Sequence, residues 1–531
     1  MYLYLYHSHS GRHGIRMDDN LYSPTSASLL IAAVRRHGHR IALTTDGRDY
    51  AYAELDALSD RVAGYLRARG LARGARIALH LRNGAEYVIS ELAILKLAAI
   101  RVPLNELMGR EELAWCLAHA DTQALISHAS LPQPLGGEDD RPAPLRISVP
   151  DHETCRPGEI PWVEVIGARG LDAVIEADPS DTAILAYTGG TTGHPKAVRH
   201  TYGRMASNLF AHIVSGDIRS DEVMLLTTPL PHSAGFHMAG CLLQGGKVIL
   251  STRFDPVEFL KACQDQGVTW TFAVPTMLYR LLDAMAEDGP AIPTVRTVVY
   301  GAAPMSRPRL EQALARLGPV FIQIYGQTEC PNFITTLSKD DHLDPKLLTS
   351  CGRAVPFTRV RIARTDAVEG VGEVEVSAPY LLAEYFRNPE ATAASLDGGW
   401  LRTGDLGYLA DGYLFLVDRA KDMIITGGMN VYCSEVEAVL RRHEAVADVA
   451  VVGLPDADWG EIVTAVVVPG QATDPETLRL FARARLSGYK APKRVVLAEA
   501  LPLTPYGKID KKRLRRDLEA PDDIDAGWPR P

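Results

Sequence analysis

A glycine- and threonine-rich loop directly after an apolar run is the feature that most constrains the fold. Residues 183–186 read Ala-Ile-Leu-Ala, and residues 187–198 read Tyr-Thr-Gly-Gly-Thr-Thr-Gly-His-Pro-Lys-Ala-Val. Glycines let backbone N–H groups turn towards an anion without a Cβ in the way, and threonine hydroxyls and a lysine add donors and charge. The segment predicts a strand that runs into a phosphate-binding loop, so we expect a nucleotide ligand. The residues expected to contact it are Thr188, Gly189, Gly190, Thr191, Thr192, Gly193 and Lys196.

The loop differs from a P-loop, in which a lysine followed by Ser or Thr starts a helix. Here Pro195 precedes Lys196. Because a proline disfavours helical geometry at the residue before it, we expect an extended segment rather than a helix N-terminus. Kinase and GTPase functions are therefore disfavoured. The loop alone also fits an ordinary polar surface turn, so other segments have to decide.

Four further motifs follow in the chain. Residues 325–329 read Tyr-Gly-Gln-Thr-Glu, 401–406 read Leu-Arg-Thr-Gly-Asp-Leu, 418–422 read Asp-Arg-Ala-Lys-Asp, and 503–508 read Leu-Thr-Pro-Tyr-Gly-Lys. With the first loop, this set resembles the adenylate-forming superfamily over roughly residues 25–515. That superfamily contains acyl-CoA and aryl-CoA synthetases, which the chain resembles most, adenylation domains of peptide synthetases, and luciferases. Any one motif could arise by chance, but five in family order argue against an unrelated function.

Composition agrees with a large globular enzyme. The 531 residues are 46% hydrophobic and 23% charged, as in ordinary globular proteins. A chain of this length is too long for one compact core, so we expect at least two domains. The net charge of -9 argues against a nucleic-acid partner. No apolar run approaches the roughly 20 residues that span a bilayer. We expect a soluble, cytoplasmic protein. The sequence does not decide between a monomer and a homodimer.

The N-terminus and the cysteines carry little information on function. Residues 2–6 (Tyr-Leu-Tyr-Leu-Tyr) are too short and too polar a run for a signal-peptide core. Residues 1–16 are expected to be a disordered extension, with Met17 as an alternative start. The seven cysteines are scattered, with no C-x-x-C pair, which disfavours a disulfide framework or a zinc site. Cys433 lies near a predicted active-site segment, but nothing nearby marks it as a nucleophile.

Apolar runs alternate with helical spacing through the first four hundred residues, which predicts an α/β fold. The predicted strands are 77–79, 223–226, 248–250, 271–274, 298–300 and 321–324. Leu278, Leu281, Leu282 and Met285 have the spacing of a crossover helix. Gly301, Ala302 and Ala303 follow one predicted strand, and residues 325–329 follow another. Since ligands bind at the carboxyl ends of parallel strands, we expect the two segments to share a crevice.

The pattern changes towards the C-terminus. Residues 372–376 and 413–417 alternate like antiparallel strands, and a βαβ-like pattern with 449–452 and 463–468 begins after Asp418. We predict a large domain over 17–417 and a smaller, mobile lid over 418–531. The resemblance implies an N-terminal AMP- and acyl-binding domain of parallel αβ-layered sheets with a small β-barrel-like subdomain, and an α+β C-terminal lid.

The resemblance also assigns roles around a nucleotide. Glu329 would bind Mg²⁺, a hard cation that prefers oxygen ligands, with Thr188 as a hydroxyl neighbour and Thr328 close to the α-phosphate. Asp405 would bind the ribose hydroxyls with Arg419 as its basic companion. Adenine would stack on Tyr325, Gly326 would border the nucleotide, and the backbone of Gly301, Ala302 and Ala303 would lie on the other side of the adenine. Taken alone, each residue also has an ordinary structural interpretation as a cap, a turn, a surface pair or a core aromatic.

Lys508 is the residue that the resemblance makes catalytic, bridging the acid oxygen and the α-phosphate. A lysine in such a basic run is in isolation most often solvated. For the second half-reaction, the resemblance implies lid rotation about Asp418 that replaces Lys508 with a hairpin over residues 421–430, including Lys421. Gly427 and Gly428 would leave a channel for a pantetheine arm, and His232 would gate it.

The chain departs from the family pattern at three places and suggests its substrate at two others. Gly189 stands where Ser is usual, Ala197 where Gly is usual and Cys433 where Pro is usual, and none of these changes removes an essential charge. Residues 233–240 and 330–333 should line an acyl pocket that looks apolar and fairly roomy, without an acid to recognise an ammonium group. The residues expected to line the pocket are Phe236, His237, Gly301, Gly326 and Pro331.

The function predicted from these features is acid-CoA ligation. ATP, with Mg²⁺, and a hydrophobic carboxylic acid give an acyl-adenylate, and CoA then displaces AMP. The alternative is an adenylating enzyme that passes the acyl group to a carrier protein or a partner enzyme. A nucleotide-binding pseudoenzyme is disfavoured because Lys196, Glu329, Asp405 and Lys508 are all present, and a luciferase-like oxygenase is given low weight.

Overall fold

The computed structural model describes residues 24–134, 144–150, 155–156, 158–188, 195–285, 292–363, 370–419, 422–427, 429–456, 458–504 and 509–519. The helices in these ranges are Ser26–Arg36 (α1), Tyr52–Ala68 (α2), Ala85–Lys96 (α3), Arg110–His119 (α4), Trp162–Ile166 (α5), Tyr202–Ser215 (α6), Gly235–Gln244 (α7), Pro256–Gln266 (α8), Pro275–Ala284 (α9), Arg307–Leu317 (α10), Pro389–Ser395 (α11), Cys433–Leu440 (α12), Pro475–Arg483 (α13) and Lys511–Glu519 (α14). A π-helical turn covers Leu230–Ala234, and a 3₁₀ turn covers Asp341–Leu343.

The strands of the described ranges form three sheets. They are Ile41–Thr45 (β1), Arg48–Ala51 (β2), Arg76–His80 (β3), Ile100–Pro103 (β4), Ala124–His128 (β5), Leu145–Val149 (β6), Ile160–Pro161 (β7), Thr182–Thr188 (β8), Lys196–Thr201 (β9), Val223–Leu226 (β10), Lys247–Leu250 (β11), Trp270–Ala273 (β12), Thr297–Gly301 (β13), Phe321–Gln327 (β14), Cys330–Leu337 (β15), Arg353–Ala354 (β16), Arg359–Ile362 (β17), Gly372–Ser377 (β18), Glu384–Tyr385 (β19), Leu396–Asp397 (β20), Trp400–Ala410 (β21), Tyr413–Arg419 (β22), Ile424–Thr426 (β23), Met429–Val431 (β24), Val446–Asp456 (β25), Gly460–Pro469 (β26) and Arg494–Leu497 (β27).

The first sheet has the strand order β17-β18-β21-β22-β16-β15-β14-β13-β12-β10-β11-β1-β2, with β20 beside β21. From β14 to β1 its neighbours are parallel, and from β14 to β17 they are antiparallel. The antiparallel region thus continues the parallel strands in one sheet. All six strands predicted in the first four hundred residues are present, and the α/β class is confirmed.

The parallel strands are nearly continuous apolar runs because helices cover them. β12 (Trp-Thr-Phe-Ala) is buried at all four positions. Trp270 and Phe272 lie in one core cluster, and Ala273 lies in a second cluster, into which α9 packs Leu278, Leu281 and Leu282. Asp255 caps α8 by accepting from the backbone N–H groups of Val257 and Glu258, at 2.9 Å and 3.0 Å. The predicted crossover helices are therefore real.

The second sheet has the order β19-β9-β8-β4-β3-β5-β6-β7, and the third has β24-β23-β26-β25 with β27 beside β26. The strands of the third sheet all follow Arg419. The βαβ-like pattern predicted for 449–452 and 463–468 is wrong, because β25 and β26 pair antiparallel. Only three residues separate them, whereas a parallel pair needs a crossover of about a dozen or more residues. The βαβ unit of this region is instead β26-α13-β27.

No helix within the described ranges combines the length and apolarity that crossing a membrane requires.

Candidate active site

The Thr328-Glu329 pair forms the two-residue turn of the β14–β15 hairpin, since Gln327 pairs with Cys330. The His200 Nε2 atom lies 2.8 Å from the Thr328 carbonyl oxygen, and the Leu382 N–H donates to the Glu329 carbonyl at 2.6 Å. A carbonyl only accepts, so His200 carries its proton on Nε2. Burial lowers the pKa of His200 to about 4, which keeps the ring neutral near pH 7. The turn is therefore held at both backbone carbonyls.

The Glu329 side chain reaches towards the phosphate-loop strands through Tyr385. The Tyr385 hydroxyl donates to Glu329 Oε1 at 2.7 Å, and the Lys196 Nζ atom lies 5.0 Å from the centre of the Tyr385 ring. Lys196 begins β9, and Thr188, which ends β8, is its antiparallel partner. The chain leaves the loop as a strand rather than a helix, as the proline argument predicted. Gly189, Gly190, Thr191, Thr192 and Gly193 lie outside the described residues.

The donor set suits a magnesium ion that binds largely through phosphates. No group of three or more His, Cys, Asp and Glu side chains in the described parts of the chain could hold a metal ion. Mg²⁺ commonly uses one or two carboxylates plus substrate phosphates rather than an all-protein cage. Glu329 Oε1 accepts one hydrogen bond, and a carboxylate has about four lone-pair positions, so Glu329 keeps capacity for a cation.

Asp405 is a buried carboxylate, 6% exposed, at the centre of a second network. Its Oδ2 atom accepts from the Tyr325 hydroxyl at 2.6 Å and from Gln327 Nε2 at 2.7 Å. Its Oδ1 atom lies 3.2 Å from Arg419 Nε, whose side chain is 48% exposed. Tyr325 thus fixes Asp405 through its hydroxyl, which adds a role to the adenine stacking predicted for its ring.

The Gly301-Ala302-Ala303 segment leaves the end of β13, next to β14. Gly301 pairs with Ile324, and a Cβ at position 301 would lie 2.6 Å from the Ile324 carbonyl oxygen. Ala302 has a φ of 67°, a left-handed conformation that is uncommon for alanine and typical of strained functional loops. Ala302 and Ala303 are exposed. The two segments that we predicted to share a crevice therefore lie at adjacent strand ends.

Gly326 has no room for a side chain. A Cβ there would lie 2.6 Å from the Asn332 backbone nitrogen and carbonyl carbon. Asn332 itself has a φ of 64°, and it follows Pro331, which is buried. Residues 330–333, which we predicted to be a loop that borders the acyl group, are instead the start of β15, and the close approach of Gly326 fixes the backbone there.

Gly326→Ala is expected to destabilise the protein by about 1–3 kcal/mol, the usual cost of overpacking, and to displace residues 330–333. Thermal unfolding and pyrophosphate release would measure both effects. Gly488→Ala is the matched control, because a Cβ at Gly488 meets nothing within 4 Å. Equal melting temperatures and rates for Gly326→Ala and the wild type would contradict this assignment.

The wall beside the predicted acyl pocket is more polar than the sequence suggested. Asn332 Nδ2 lies 2.8 Å from His212 Nε2 and 3.4 Å from His237 Nε2, and Asn332 Oδ1 accepts from Ser233 Oγ at 2.8 Å. Burial lowers the pKa of His212 to about 4 and that of His237 well below its ordinary value, so both rings are neutral. His237 is completely buried, so its side chain lies behind the surface of the predicted pocket.

Phe236 lines a mostly apolar cavity of about 40 Å³. This volume has room for a few water molecules rather than for a large acid.

His232 lies in the π-helical turn with non-helical backbone angles. Its Nε2 atom is 2.7 Å from Asn105 Nδ2, and Asn105 Oδ1 accepts from the Leu107 N–H at 2.8 Å. Because Oδ1 is occupied, the amide presents Nδ2 to the ring, and His232 Nε2 is an acceptor. Asn83 holds this turn by accepting from the Leu230 N–H and donating to the carbonyls of Thr228 and Ser251, all between 2.9 and 3.0 Å.

The predicted lid residues lie partly outside the described ranges, since Lys421, Gly428 and Lys508 are not among them. The predicted hairpin is present as β23 and β24. Gly427 has a φ of 56°, and a Cβ there would lie 3.0 Å from the Trp459 ring. The Cys433 thiol donates to the Asp422 carbonyl at 2.9 Å, and burial raises its pKa to about 12, which argues against a nucleophilic role.

Four residues of this region were not singled out as site residues from the sequence. Gln327 was quoted only as part of a motif. Tyr385, His200 and Asn83 act through partners that lie 56 or more positions away in the chain. Local spacing contains no signal for such contacts. An aromatic within a two-residue strand, as at Tyr385, also falls below the length that periodicity can detect.

Comparison with known proteins gives the same answer as the geometry. The family model described as AMP-binding enzyme matches residues 30–386, and that of the AMP-binding enzyme C-terminal domain matches residues 435–508. The medium/long-chain-fatty-acid–CoA ligase FadD8 of Mycobacterium tuberculosis is 36% identical, covering 93% of this chain and 90% of that protein. Feruloyl-CoA synthase of an Amycolatopsis species is 36% identical, covering 92% and 97%. The solved structure of the amide bond synthetase McbA from Marinactinospora thermotolerans superposes with a TM-score of 0.81 at 32% identity, covering 93% and 99%. The chain therefore belongs to the AMP-binding enzymes of the adenylate-forming superfamily, and it is an ATP-dependent acyl-CoA ligase.

Proposed function

We propose that this ligase activates a hydrophobic carboxylic acid at the Thr328-Glu329 turn and then transfers the acyl group to the sulfur of CoA. One observation carries the proposal. Residues 325–329 contact both parts of the candidate nucleotide site, because Tyr325 and Gln327 bond to Asp405 while Glu329 is linked through Tyr385 to Lys196. A single short segment thus joins the predicted ribose acid to the predicted phosphate lysine.

In the first half-reaction, a carboxylate oxygen of the acid attacks the α-phosphorus of ATP, and the bond to pyrophosphate breaks. Lys196 and the loop 189–193 bind the phosphates, with Thr328 close to the α-phosphate. Glu329, with Thr188 beside the loop, holds the magnesium, which supplies positive charge to the triphosphate. Lys508 stabilises the charge that develops between the acid oxygen and the phosphorus. Fixed positive charges and donors of this kind supply a large share of enzymatic rate enhancement.

Asp405 binds the ribose hydroxyls in this proposal. Three donors already contact its two oxygens, which leaves about one lone-pair position, and Arg419 is exposed enough to move aside. The hydrogen bonds from Tyr325 and Gln327 therefore orient the Asp405 carboxylate, and its Oδ1 atom faces the ribose hydroxyls.

Asp405→Asn is expected to lower kcat/KM for ATP by about 10- to 100-fold, the equivalent of losing a charge-assisted hydrogen bond of about 1.5–3 kcal/mol. The new amide also turns a donor towards Arg419. Initial rates over a range of ATP concentrations would measure the effect. Glu373→Gln is the control, because this nearby carboxylate bonds to Arg402 and to the Gly404 N–H instead of to the residues 325–329. Unchanged ATP dependence in Asp405→Asn would contradict the ribose assignment.

The acid is proposed to be hydrophobic because Phe236 and the aliphatic residues around it line a mostly apolar cavity, in which the one acidic residue, Glu91, is paired with Arg101. Relatives of similar length carry names that include fatty acids, ferulate and 2-succinylbenzoate as acids. A pyrophosphate-release panel of fatty, aromatic and polycyclic acids with glycine as control tests this class. Equal rates with glycine and with a large apolar acid would overturn it.

In the second half-reaction, the CoA sulfur attacks the acyl carbonyl and AMP leaves. We propose that the lid, residues 418–531, rotates about Asp418 and brings the β23–β24 hairpin to the site in place of Lys508. Asp418 is held by the N–H groups of Arg419 at 2.7 Å and Ser434 at 3.3 Å, which joins the end of β22 to α12. Gly427 and Gly428 would let a pantetheine arm pass, and His232 would gate its entry. The alternative is that a carrier protein or an amine accepts the acyl group. The similarity to an amide bond synthetase supports testing an amine in place of CoA.

A further inference from the structure

One side chain, Tyr385, touches both the predicted magnesium ligand and the predicted phosphate lysine. Its hydroxyl donates to Glu329 Oε1 at 2.7 Å, and its ring centre lies 5.0 Å from Lys196 Nζ. The residue is 7% exposed. The two contacts use different parts of the side chain, so they can be removed separately.

The backbone around Tyr385 fixes these contacts. β19 pairs antiparallel with β9, with Tyr385 opposite Val198, and the Phe386 N–H donates to the Ala197 carbonyl at 2.8 Å. Three residues earlier, the Leu382 N–H donates to the Glu329 carbonyl at 2.6 Å. The segment 382–386 is therefore bonded on one side to the phosphate-loop strand and on the other to the Thr328-Glu329 turn.

The chemistry of a tyrosine suits this place. A tyrosine hydroxyl is protonated near neutral pH, so it can donate to the Glu329 carboxylate. A neutral donor orients a carboxylate without cancelling its charge, whereas a lysine or arginine in the same place would cancel it. The face of the ring attracts the Lys196 ammonium through a cation–π interaction.

We propose that Tyr385 is a positioning residue that keeps the Glu329 carboxylate and the Lys196 ammonium in separate, fixed places, so that a nucleotide triphosphate and its divalent cation bind together. The inference rests on the proposed function, in which Glu329 binds the cation and Lys196 the phosphates. Tyr385 touches neither the reacting atoms nor the metal, and it acts through Glu329 and Lys196.

Two variants separate the contacts of Tyr385. Tyr385→Phe removes the hydroxyl and keeps the ring, and Tyr385→Leu removes both. Tyr413→Phe is the matched control, because the Tyr413 hydroxyl donates to the Asp341 carboxylate at the same 2.7 Å, and neither residue belongs to the site. Free Mn²⁺ measured by electron paramagnetic resonance, with a non-hydrolysable ATP analogue, gives the metal affinity. Fluorescence titration of the analogue without metal gives the nucleotide affinity, and thermal unfolding gives the stability.

The account predicts that Tyr385→Phe weakens Mn²⁺ binding by about tenfold or more, the usual effect of losing a partner that orients a metal ligand, with metal-free nucleotide affinity unchanged. Tyr385→Leu should weaken both affinities, and Tyr413→Phe neither. Wild-type Mn²⁺ affinity in Tyr385→Phe would overturn the inference and leave the proposed function standing. Equal losses of both affinities together with a lower melting temperature would show a merely structural role and would also overturn it. Absence of Mn²⁺ and analogue binding by the wild-type enzyme would overturn the proposed function itself.

Discussion

Lys508→Ala is expected to lower the rate of acyl-adenylate formation by about 10²–10³-fold, the usual cost of removing one group that stabilises transition-state charge. In the proposed mechanism, Lys508 offsets the repulsion between two anions, the acid and the α-phosphate, as they approach each other. Pyrophosphate release under single-turnover conditions measures this step. Substrate binding should change much less than the rate, because the lysine acts on charge that develops during the reaction.

The same variant should separate the two half-reactions. If the lid rotates and removes Lys508 before thioester formation, Lys508→Ala should convert a chemically prepared acyl-adenylate and CoA to thioester at close to the wild-type rate. Lys512→Ala is the control, since this exposed lysine lies in the same basic run, on α14. Equal losses of rate in both half-reactions would contradict the proposed rotation of the lid. A wild-type rate of adenylation in Lys508→Ala would contradict the catalytic assignment of Lys508.

Glu329→Gln is expected to lower kcat/KM for ATP by about 10²–10³-fold, because an amide of the same shape lacks the charge that a magnesium ion requires. The Tyr385 hydroxyl can still donate to the amide oxygen, so the turn should keep its structure and the melting temperature should change little. Rates measured over a range of Mg²⁺ concentrations should show a weakened dependence on the metal.

Glu384→Gln is the matched control for Glu329→Gln. Glu384 pairs with Arg199 at 2.8 Å near the surface, where such pairs contribute about 0–1 kcal/mol, and it precedes Tyr385 in the same short strand. It should leave the magnesium dependence unchanged. An unaltered magnesium dependence in Glu329→Gln would contradict its assignment as the metal ligand, whereas a large fall in melting temperature would indicate a structural carboxylate.

The sequence was sufficient for features that are encoded locally. The buried parallel strands are continuous apolar runs, and the candidate ligand segments lie at their carboxyl ends. Residues 301–303 and 325–329 could therefore be placed at one edge of the sheet. The proline before Lys196 indicated an extended exit from the loop, and the exit is β9. These predictions succeeded because steric rules and burial act over a few neighbouring residues.

Features that depend on distant pairing could not be derived from the sequence. The link between Tyr385 and Glu329 requires β19 to pair with β9, nearly two hundred positions away. The sequence of a two-residue strand does not indicate which strand pairs with it. The antiparallel pairing of β25 and β26 was missed because two apolar runs look the same in a hairpin and in a βαβ unit. The polar contacts of Asn332 were missed because His212, Ser233 and the start of β15 meet only in the folded chain.

The most direct test of the central claim is mass-spectrometric detection of AMP and acyl-thioester in one reaction, with ATP, Mg²⁺ and a panel of hydrophobic acids, with and without CoA. The account predicts AMP and acyl-CoA in equal amounts when CoA is present, and pyrophosphate without thioester when it is absent. Formation of AMP and acyl-adenylate with CoA present but no thioester, from every acid that is adenylated, would contradict CoA as the acceptor. Supplying an amine or a carrier protein in place of CoA would then identify the group that receives the acyl chain.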